Sequence, residues 1–197
     1  MVMRCQPVLD ALKSARNQEA DGPQEGITVS AALTPAGRRF DQKTARRYAQ
    51  LDHLILICGH YEGMDERIYS RVDEQISIGD YILTGGEPAA MVLVDCVARF
   101  IPGVLGSSES SEYESFSDGL LEYPQYTRPR VLNGMEVPEI LLNGDHAKIQ
   151  AWRRKESLKA TLRFRPDLLN TAPLDGQDRQ VLESIRKEMS NSCSSEN

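Results

Sequence analysis

The hydrophobic pattern of the first hundred residues alternates between short apolar runs and amphipathic segments. Residues 27–33, 54–58 and 76–83 are rich in β-branched and apolar residues, and we predict strands there. We predict helices at 7–20, opened by Pro7, at 41–51, starting near Asp41, and from Glu87 to Phe100, where Pro88 fits the first turn. Strands that alternate with helices need crossover connections, so the pattern predicts an α/β fold with a mostly parallel sheet.

The pattern changes after Gly103. Residues 107–122, "SSESSEYESFSDGLLE", are acidic and serine-rich, which is typical of a mobile linker. Two further helices follow, at 145–165 and 173–190. We therefore predict an α/β domain over 1–105, a flexible acidic linker over 106–121, and a smaller, mainly helical domain with a disordered tail over 122–197.

The first of these later helices is basic. Residues 146–165, "HAKIQAWRRKESLKATLRFR", carry Lys and Arg throughout against a single Glu156, while Ile149, Trp152 and Leu158 are spaced for one apolar face. The charge fits either a solvated surface helix or a helix that contacts phosphates.

Composition restricts the class of protein. The 197 residues are 40% hydrophobic, enough for a core, and the net charge of -6 disfavours general nucleic-acid affinity without excluding local basic patches. The sequence has no apolar run of about 18 residues and does not begin like a secretory signal, which predicts a soluble cytosolic protein. Cysteines 5, 58, 96 and 193 lack C-x-x-C spacing, so we predict buried reduced thiols and no metal site.

Three loops leave the carboxyl ends of the predicted strands, where ligands bind in open α/β sheets. They are "TPAGRR" (34–39), "GHYEG" (59–63) and "TGGE" (84–87). Their glycines would let a flat ligand approach the main chain closely, although each loop alone fits a simple tight turn. A phosphate cradle is disfavoured, since the sequence has neither a P-loop nor G-x-G-x-x-G.

Longer motifs carry a specific resemblance. They are "LILICGHYEGMDER", "SIGDYILTGGEPAAMVLVDCVARFIPGVLG", "SFSDGLLEYPQYTRP", "VPEILLNGDHAKIQAWRRKESL" and "RPDLL". In this order they resemble the bacterial TrmD family of tRNA (guanine-N1)-methyltransferases, which modify guanosine 37, and the match runs from Met1 to about Leu169. The resemblance implies a SPOUT-class fold with a trefoil knot and with S-adenosylmethionine bound inside the knot. It also implies an obligate homodimer whose sites lie at the subunit interface.

The resemblance also implies site residues. The methyl-donor pocket would comprise Pro35, Gly37, Gly59, Tyr61, Glu62, Gly63, Ile78, Gly79, Asp80, Tyr81, Ile82, Leu83, Gly85 and Gly86. Arg99 would hold the charge that develops on guanine, and Glu114 would be the base at a position where the family usually has Asp, with Asp118 as a nearby substitute. Arg153, Arg154 and Lys155 would contact tRNA phosphates. No metal site is indicated, and whether a divalent ion assists the reaction is left open by the sequence.

The amino terminus differs from the family pattern. Family members carry a first strand, a helix and a Gly-rich loop before the position that matches Met1. A fragment, a start assigned too late and a true truncation each explain this difference. Two other functions remain open: a noncatalytic homologue that binds S-adenosylmethionine or RNA without turnover, and a generic nucleotide-binding α/β protein with affinity for ATP or NAD.

Overall fold

The computed structural model describes residues 1–17, 26–104 and 114–194, which belong to two compact units, Met1–Ser108 and Glu109–Asn197. In the first unit the elements are α1 (Cys5–Asn17), β1 (Thr28–Arg39), α2 (Gln42–Tyr48), β2 (His53–Cys58), α3 (Glu66–Tyr69), β3 (Glu74–Ser77) and α4 (Glu87–Ala98). In the second they are β4 (Val131–Leu132), β5 (Met135–Glu136), α5 (His146–Phe164) and α6 (Gly176–Ser194), with 3-10 turns at Glu139–Leu142 and Pro166–Asn170.

The sheet of the first unit has the order β2-β1-β3, and both neighbours run parallel to β1. Thr28 pairs with His53 at one end of β1, and Leu33 pairs with Cys58 where β2 ends. The predicted α/β fold with a parallel sheet is confirmed. The carboxyl ends of all three strands therefore lie at one edge of the sheet.

Helices cover both faces of this sheet because the side chains of β1 alternate between them. Ala31 and Leu33 pack in one buried cluster with residues of α2 and α4. Ala32 points to the opposite face and joins a second cluster with Ile57 and residues of α1 and α3. These small and branched apolar side chains, buried on both faces, form the core of an α/β layer architecture.

The bounds of two strands, β1 and β3, were predicted wrongly. β1 does not end at residue 33 but continues to Arg39 through a bulge, since Leu33 and Arg38 both pair with Ile76. A Cβ on Gly37 would lie 2.5 Å from the carbonyl carbon of Gln75, so only glycine lets the bulge approach β3 this closely. The predicted strand at 76–83 is β3, which starts at Glu74 and ends at Ser77.

The early end of β3 has a local cause. Gly79 has a φ of 151°, a region that favours glycine, and the Ser77 hydroxyl accepts a hydrogen bond from the Gly79 N–H at 3.2 Å. This turn takes the chain out of the ladder, so residues 78–83 are irregular. The apolar composition that predicted a strand instead belongs to the lining of a pocket.

The helix predictions agree more closely with the structure. Asp41 caps α2 by accepting the Thr44 N–H at 2.7 Å, and Pro88 lies in the first turn of α4 as predicted. Helix α1 begins at Cys5, earlier than Pro7, and its predicted last residues, 18–20, lie outside the described residues. Helix α6 begins at Gly176 rather than at residue 173 and extends to Ser194.

The second unit is built around α5 and α6. Leu158 of α5 packs with Leu182 and Ile185 of α6 and with Leu120 from the preceding segment, and all four are buried. A hairpin, β4-β5, turns at Asn133 and Gly134, both with positive φ, as a two-residue hairpin loop requires. Of the predicted linker, residues 106–113 lie outside the described residues, whereas Leu120 and Leu121 at its end pack against α5.

Two other predictions concern membranes and thiols. Within the part of the chain that the structure describes, no helix is long and apolar enough to span a membrane. Cys5, Cys58 and Cys96 are free thiols and are half-buried rather than fully buried.

Candidate active site

A pocket lies at the carboxyl-end edge of the sheet and is lined by the three loops predicted from sequence. One wall is Leu33, Thr34 and Pro35 of the β1 bulge, and another is the 59–63 loop after β2. The irregular segment after β3, through Gly86, supplies the third wall. Residues far apart in sequence therefore meet where parallel strands end, as expected for ligand sites in open α/β sheets.

Gly85 and Gly86 hold two of these loops together. The Gly86 N–H donates to the Gly59 carbonyl at 2.8 Å, and His60 and Gly85 form an antiparallel bridge. A Cβ on Gly86 would lie 2.7 Å from the Cα of Cys58, and one on Gly85 would lie 2.8 Å from the His60 ring. Gly86 is thus required by loop packing, independently of any ligand, because its Cβ would meet backbone atoms.

The pocket presents apolar side chains to solvent. Tyr81, Ile82 and Leu83 are 55%, 79% and 40% exposed, although they follow a buried strand. Tyr61, at a φ of 63°, is 58% exposed on the opposite loop. Ligand pockets are commonly lined by such apolar and aromatic groups with a few polar ones placed among them.

The charges around the pocket are mainly acidic. Glu62 is largely exposed, and Glu87 lies 3.5 Å from the Nδ1 atom of His60. Burial and the nearby Glu87 carboxylate raise the pKa of the Cys58 thiol, which therefore stays protonated near neutral pH. These carboxylates favour a ligand that carries positive charge.

All but two of the predicted donor-pocket residues line this pocket. Those that do are Pro35, Gly59, Tyr61, Glu62, Gly63, Ile78, Gly79, Tyr81, Ile82, Leu83, Gly85 and Gly86. Gly37 instead packs against the β3 backbone, and Asp80 pairs with Arg39 at 2.6 Å. Both residues support the walls without belonging to the lining.

Sequence reasoning missed several lining residues. Thr34, His60 and Thr84 are polar members of the same three loops, and their position beside predicted residues was the signal that could have found them. Met64, Tyr69 and Ala89 also line the pocket but come from helix and turn packing. No local sequence signal marks these three.

Comparison with known proteins identifies the family. The family model described as tRNA (guanine-1)-methyltransferase TrmD matches residues 1–171. The chain belongs to the TrmD family. A tRNA (guanine-N(1)-)-methyltransferase of Carboxydothermus hydrogenoformans is 55% identical over 183 residues, which are 92% of this chain and 69% of the relative. A relative of the same name from Limosilactobacillus reuteri is 52% identical over 186 residues, or 94% of this chain and 73% of that protein.

Membership in the TrmD family identifies the chain as an enzyme of the methyltransferase class, which requires a methyl donor. The pocket described above is formed by the loops that carry the TrmD motifs "GHYEG" and "LTGGE". A third relative of this name, from Geobacter sulfurreducens, is similar to this chain to the same degree. It is 50% identical over 95% of this chain and 75% of its own length.

The residues predicted for catalysis lie in both units. Arg99 is half-buried at the C-terminal end of α4, whose 12 residues span about 18 Å from the pocket end of the helix. Glu114 and Asp118 lie on the segment that precedes α5 in the second unit. The carbonyl of Glu114 accepts the Ser117 N–H at 3.2 Å. The Asp118 carboxylate forms an ion pair with Arg154.

The three basic residues predicted to bind phosphate have different surroundings on α5. The Arg153 guanidinium lies over the Tyr123 ring at 4.8 Å, and its buried Nε has no hydrogen-bond partner among the described residues. Lys155 forms an exposed ion pair with Glu188 at 3.1 Å. Arg154 is held between Asp118 and Asp178. Only two of the three side chains therefore remain suited to meet a phosphate.

Proposed function

We propose that this chain transfers a methyl group from S-adenosylmethionine to N1 of guanosine 37 in tRNA. The observation that carries the proposal is the pocket formed by three separated loops, in a chain of the TrmD family. The family model and the names of the relatives support a tRNA guanine as the substrate.

The composition of the pocket fits S-adenosylmethionine. Main-chain groups of the 59–63 loop and of the segment after β3 can hold the polar edge of an adenine, while Ile78, Tyr81 and Leu83 offer apolar contacts to its ring. Glu62 and Glu87 supply negative charge for a donor that carries a sulfonium and an ammonium group. S-adenosylmethionine bound there supplies the methyl group and leaves as the neutral thioether.

The chain's own residues handle the proton and the charge on guanine. Guanine N1 must lose its proton to bond to the methyl carbon, and the Glu114 carboxylate accepts that proton. Negative charge spreads toward O6 as the proton leaves, and an Arg99 guanidinium stabilises it. Because Arg99 lies about 18 Å from the pocket end of α4 in its own chain, the reaction would take place at the interface of two copies. Asp118 is less suited as the base because Leu120 N–H and Arg154 already donate to its two oxygens.

The tRNA would be held through its backbone and its unpaired anticodon-loop bases. The exposed basic side chains of α5, including Lys155, can exchange their carboxylate partners for phosphates. Guanosine 37 must leave the stack to reach the donor, as bases do when enzymes modify them.

Two copies of the chain would form the working enzyme. Met91, Val92 and Val94 of α4 are 71%, 50% and 56% exposed, an apolar face that a second copy can cover. The trefoil knot likewise remains a prediction that rests on the resemblance to SPOUT proteins.

Labelled methyl transfer tests the proposal directly. The chain is incubated with labelled S-adenosylmethionine and an unmodified tRNA that carries guanosine at position 37. The matched control is the same tRNA with adenosine there. We expect label only in the guanosine tRNA, at N1. Donor binding without transfer would instead support a noncatalytic homologue. Preference for ATP or NAD would support a generic nucleotide-binding protein.

A further inference from the structure

The segment that carries Glu114 is fixed to α5 at its C-terminal end. Leu120 is 1% exposed and packs on Leu158 in the core of the second unit. The Leu121 N–H donates to the Thr161 hydroxyl at 2.9 Å, and the Ser157 hydroxyl donates to the Leu121 carbonyl. One end of the segment is thus bonded to successive turns of one helix.

Arg154 fixes the middle of the same segment. Its Nε and Nη2 donate to the two oxygens of Asp178 at 2.8 and 2.6 Å, and its Nη1 donates to Asp118. The Asp178 side chain, in the first turn of α6, is only 7% exposed. The fork of Arg154 therefore joins three parts of the unit, namely α5, α6 and the turn before α5.

Glu114 is connected to this junction by a short series of main-chain bonds. The Ser117 N–H donates to the Glu114 carbonyl at 3.2 Å, and the Phe116 N–H donates to the Leu120 carbonyl at 2.7 Å. Phe116 has a φ of 74°, so the turn has an unusual backbone conformation that the surrounding bonds must hold. Displacement of Asp118 would consequently displace Glu114.

We propose that Arg154 is a positioning residue for the base Glu114 and not a contact to tRNA phosphate. This inference rests on the proposed function, since it assigns a role to a residue of that same site. This arrangement requires the planar guanidinium group of arginine, because Nε and Nη2 donate to Asp178 while Nη1 donates to Asp118. Lysine has the same charge but no fork, so it cannot hold both carboxylates in this arrangement.

The difference between charge and shape gives the first test. We expect Arg154→Lys to lower kcat at least 10-fold while KM for tRNA stays within 2-fold, because misplacement of a catalytic group by about 1 Å is costly. Arg186→Lys, at an exposed position on α6, is the matched control and should keep the parent kcat. Hydrogen exchange at residues 115–122 should be faster in Arg154→Lys only.

A second variant is needed because Arg154→Lys weakens the ion pair of the buried Asp178 carboxylate and could lower kcat by unfolding the unit. Asp118→Asn leaves the pair of Arg154 with Asp178 intact and keeps the oxygen that accepts the Leu120 N–H. We expect lower kcat, unchanged KM for tRNA and an unchanged melting temperature. In a Glu114→Gln background the same substitution should cause no further loss.

Four results would overturn the inference. Parent kcat in Arg154→Lys would show that charge alone suffices, and a rise in KM for tRNA would assign Arg154 to phosphate binding. Unchanged kcat in Asp118→Asn would show that the ion pair has no effect on the base. A further loss in the Glu114→Gln background would make Asp118 a base itself. Absence of transfer by the parent chain, which is measured first, would instead reject the proposed function.

Discussion

The main-chain N–H of Gly86 donates to the carbonyl oxygen of Gly59 at 2.8 Å, and this bond joins the two loops that follow β2 and β3. It holds Gly86 so near the β2 end that a Cβ there would lie 2.7 Å from the Cα of Cys58. The shape of the pocket therefore depends on a residue without a side chain.

Gly86→Ala should damage both the pocket and the stability of its unit. The added methyl group must displace backbone, which we expect to lower the free energy of unfolding by about 1–3 kcal/mol. Separated loops should also weaken S-adenosylmethionine binding at least 10-fold by calorimetry. Gly176→Ala is the matched control, because a Cβ at Gly176 meets nothing within 4 Å. Equal effects of the two substitutions would contradict this account.

Substitutions at Glu114 should separate proton transfer from binding. Glu114→Gln removes the base, and we expect kcat for methyl transfer to fall about 10²–10⁴-fold with little change in KM for tRNA. Glu114→Asp restores the residue that the family usually has and should keep most of the activity. Full activity in Glu114→Gln, measured with labelled methyl donor, would exclude Glu114 as the base.

Val94→Glu should prevent association of two copies without unfolding either one. Val94 is 56% exposed, so its replacement by a charged residue leaves the core of the unit unchanged. A second copy that packs on α4 would bury the new carboxylate without a partner, which is unfavourable. Sedimentation should change from dimer to monomer, with loss of methyl transfer. Ile27→Glu, at a residue that is 62% exposed on another part of the unit, should remain dimeric. A monomeric parent would rule out the dimer.

Protonation of Asp73 should lower the free energy of unfolding of the first unit at acidic pH. Partial burial opposes its ionisation, but hydrogen bonds from the Ser30 hydroxyl and N–H, at 2.6 and 2.8 Å, and the ion pair with Arg16 outweigh it and hold the pKa of Asp73 below its ordinary value. A depressed folded-state pKa stabilises the fold above the unfolded-state pKa. That stability is lost as pH falls through the folded-state value.

Asp73→Asn should therefore remove part of this pH dependence. We expect it to cost about 1–2 kcal/mol at pH 7 and progressively less below about pH 4, by urea unfolding at several pH values. Asp10→Asn, at an exposed position on α1, should leave the profile within about 0.5 kcal/mol of the parent. Parallel profiles for the parent and Asp73→Asn would show that the bonds to Asp73 do not depend on its charge.

The agreement between sequence and structure was greatest where a local signal decides the outcome. Asp41 as a helix cap and Pro88 in the first turn of α4 were predictable because capping depends on neighbouring residues. The extent of β1 and β3 was not, since the bulge at 34–37 is defined by contact with a strand some forty residues later. Apolar composition likewise could not distinguish a strand over 78–83 from a pocket wall.

The amino-acid sequence by itself determined the α/β class, the three loops at the strand ends and the resemblance to the TrmD family. Periodicity, glycine positions and motif order are read along the chain and do not depend on which distant residues meet in space. Tertiary structure alone decided that Gly37 packs on β3, that Gly86 locks two loops, and that Arg154 joins Asp118 to Asp178. Each of these roles depends on a contact between residues that are far apart in sequence and meet only in the folded unit. The charge pattern of α5 together with the family resemblance predicted Arg154 as a phosphate ligand. Its partners on α6 and on the preceding turn could not be predicted, because they come together only when the helices pack.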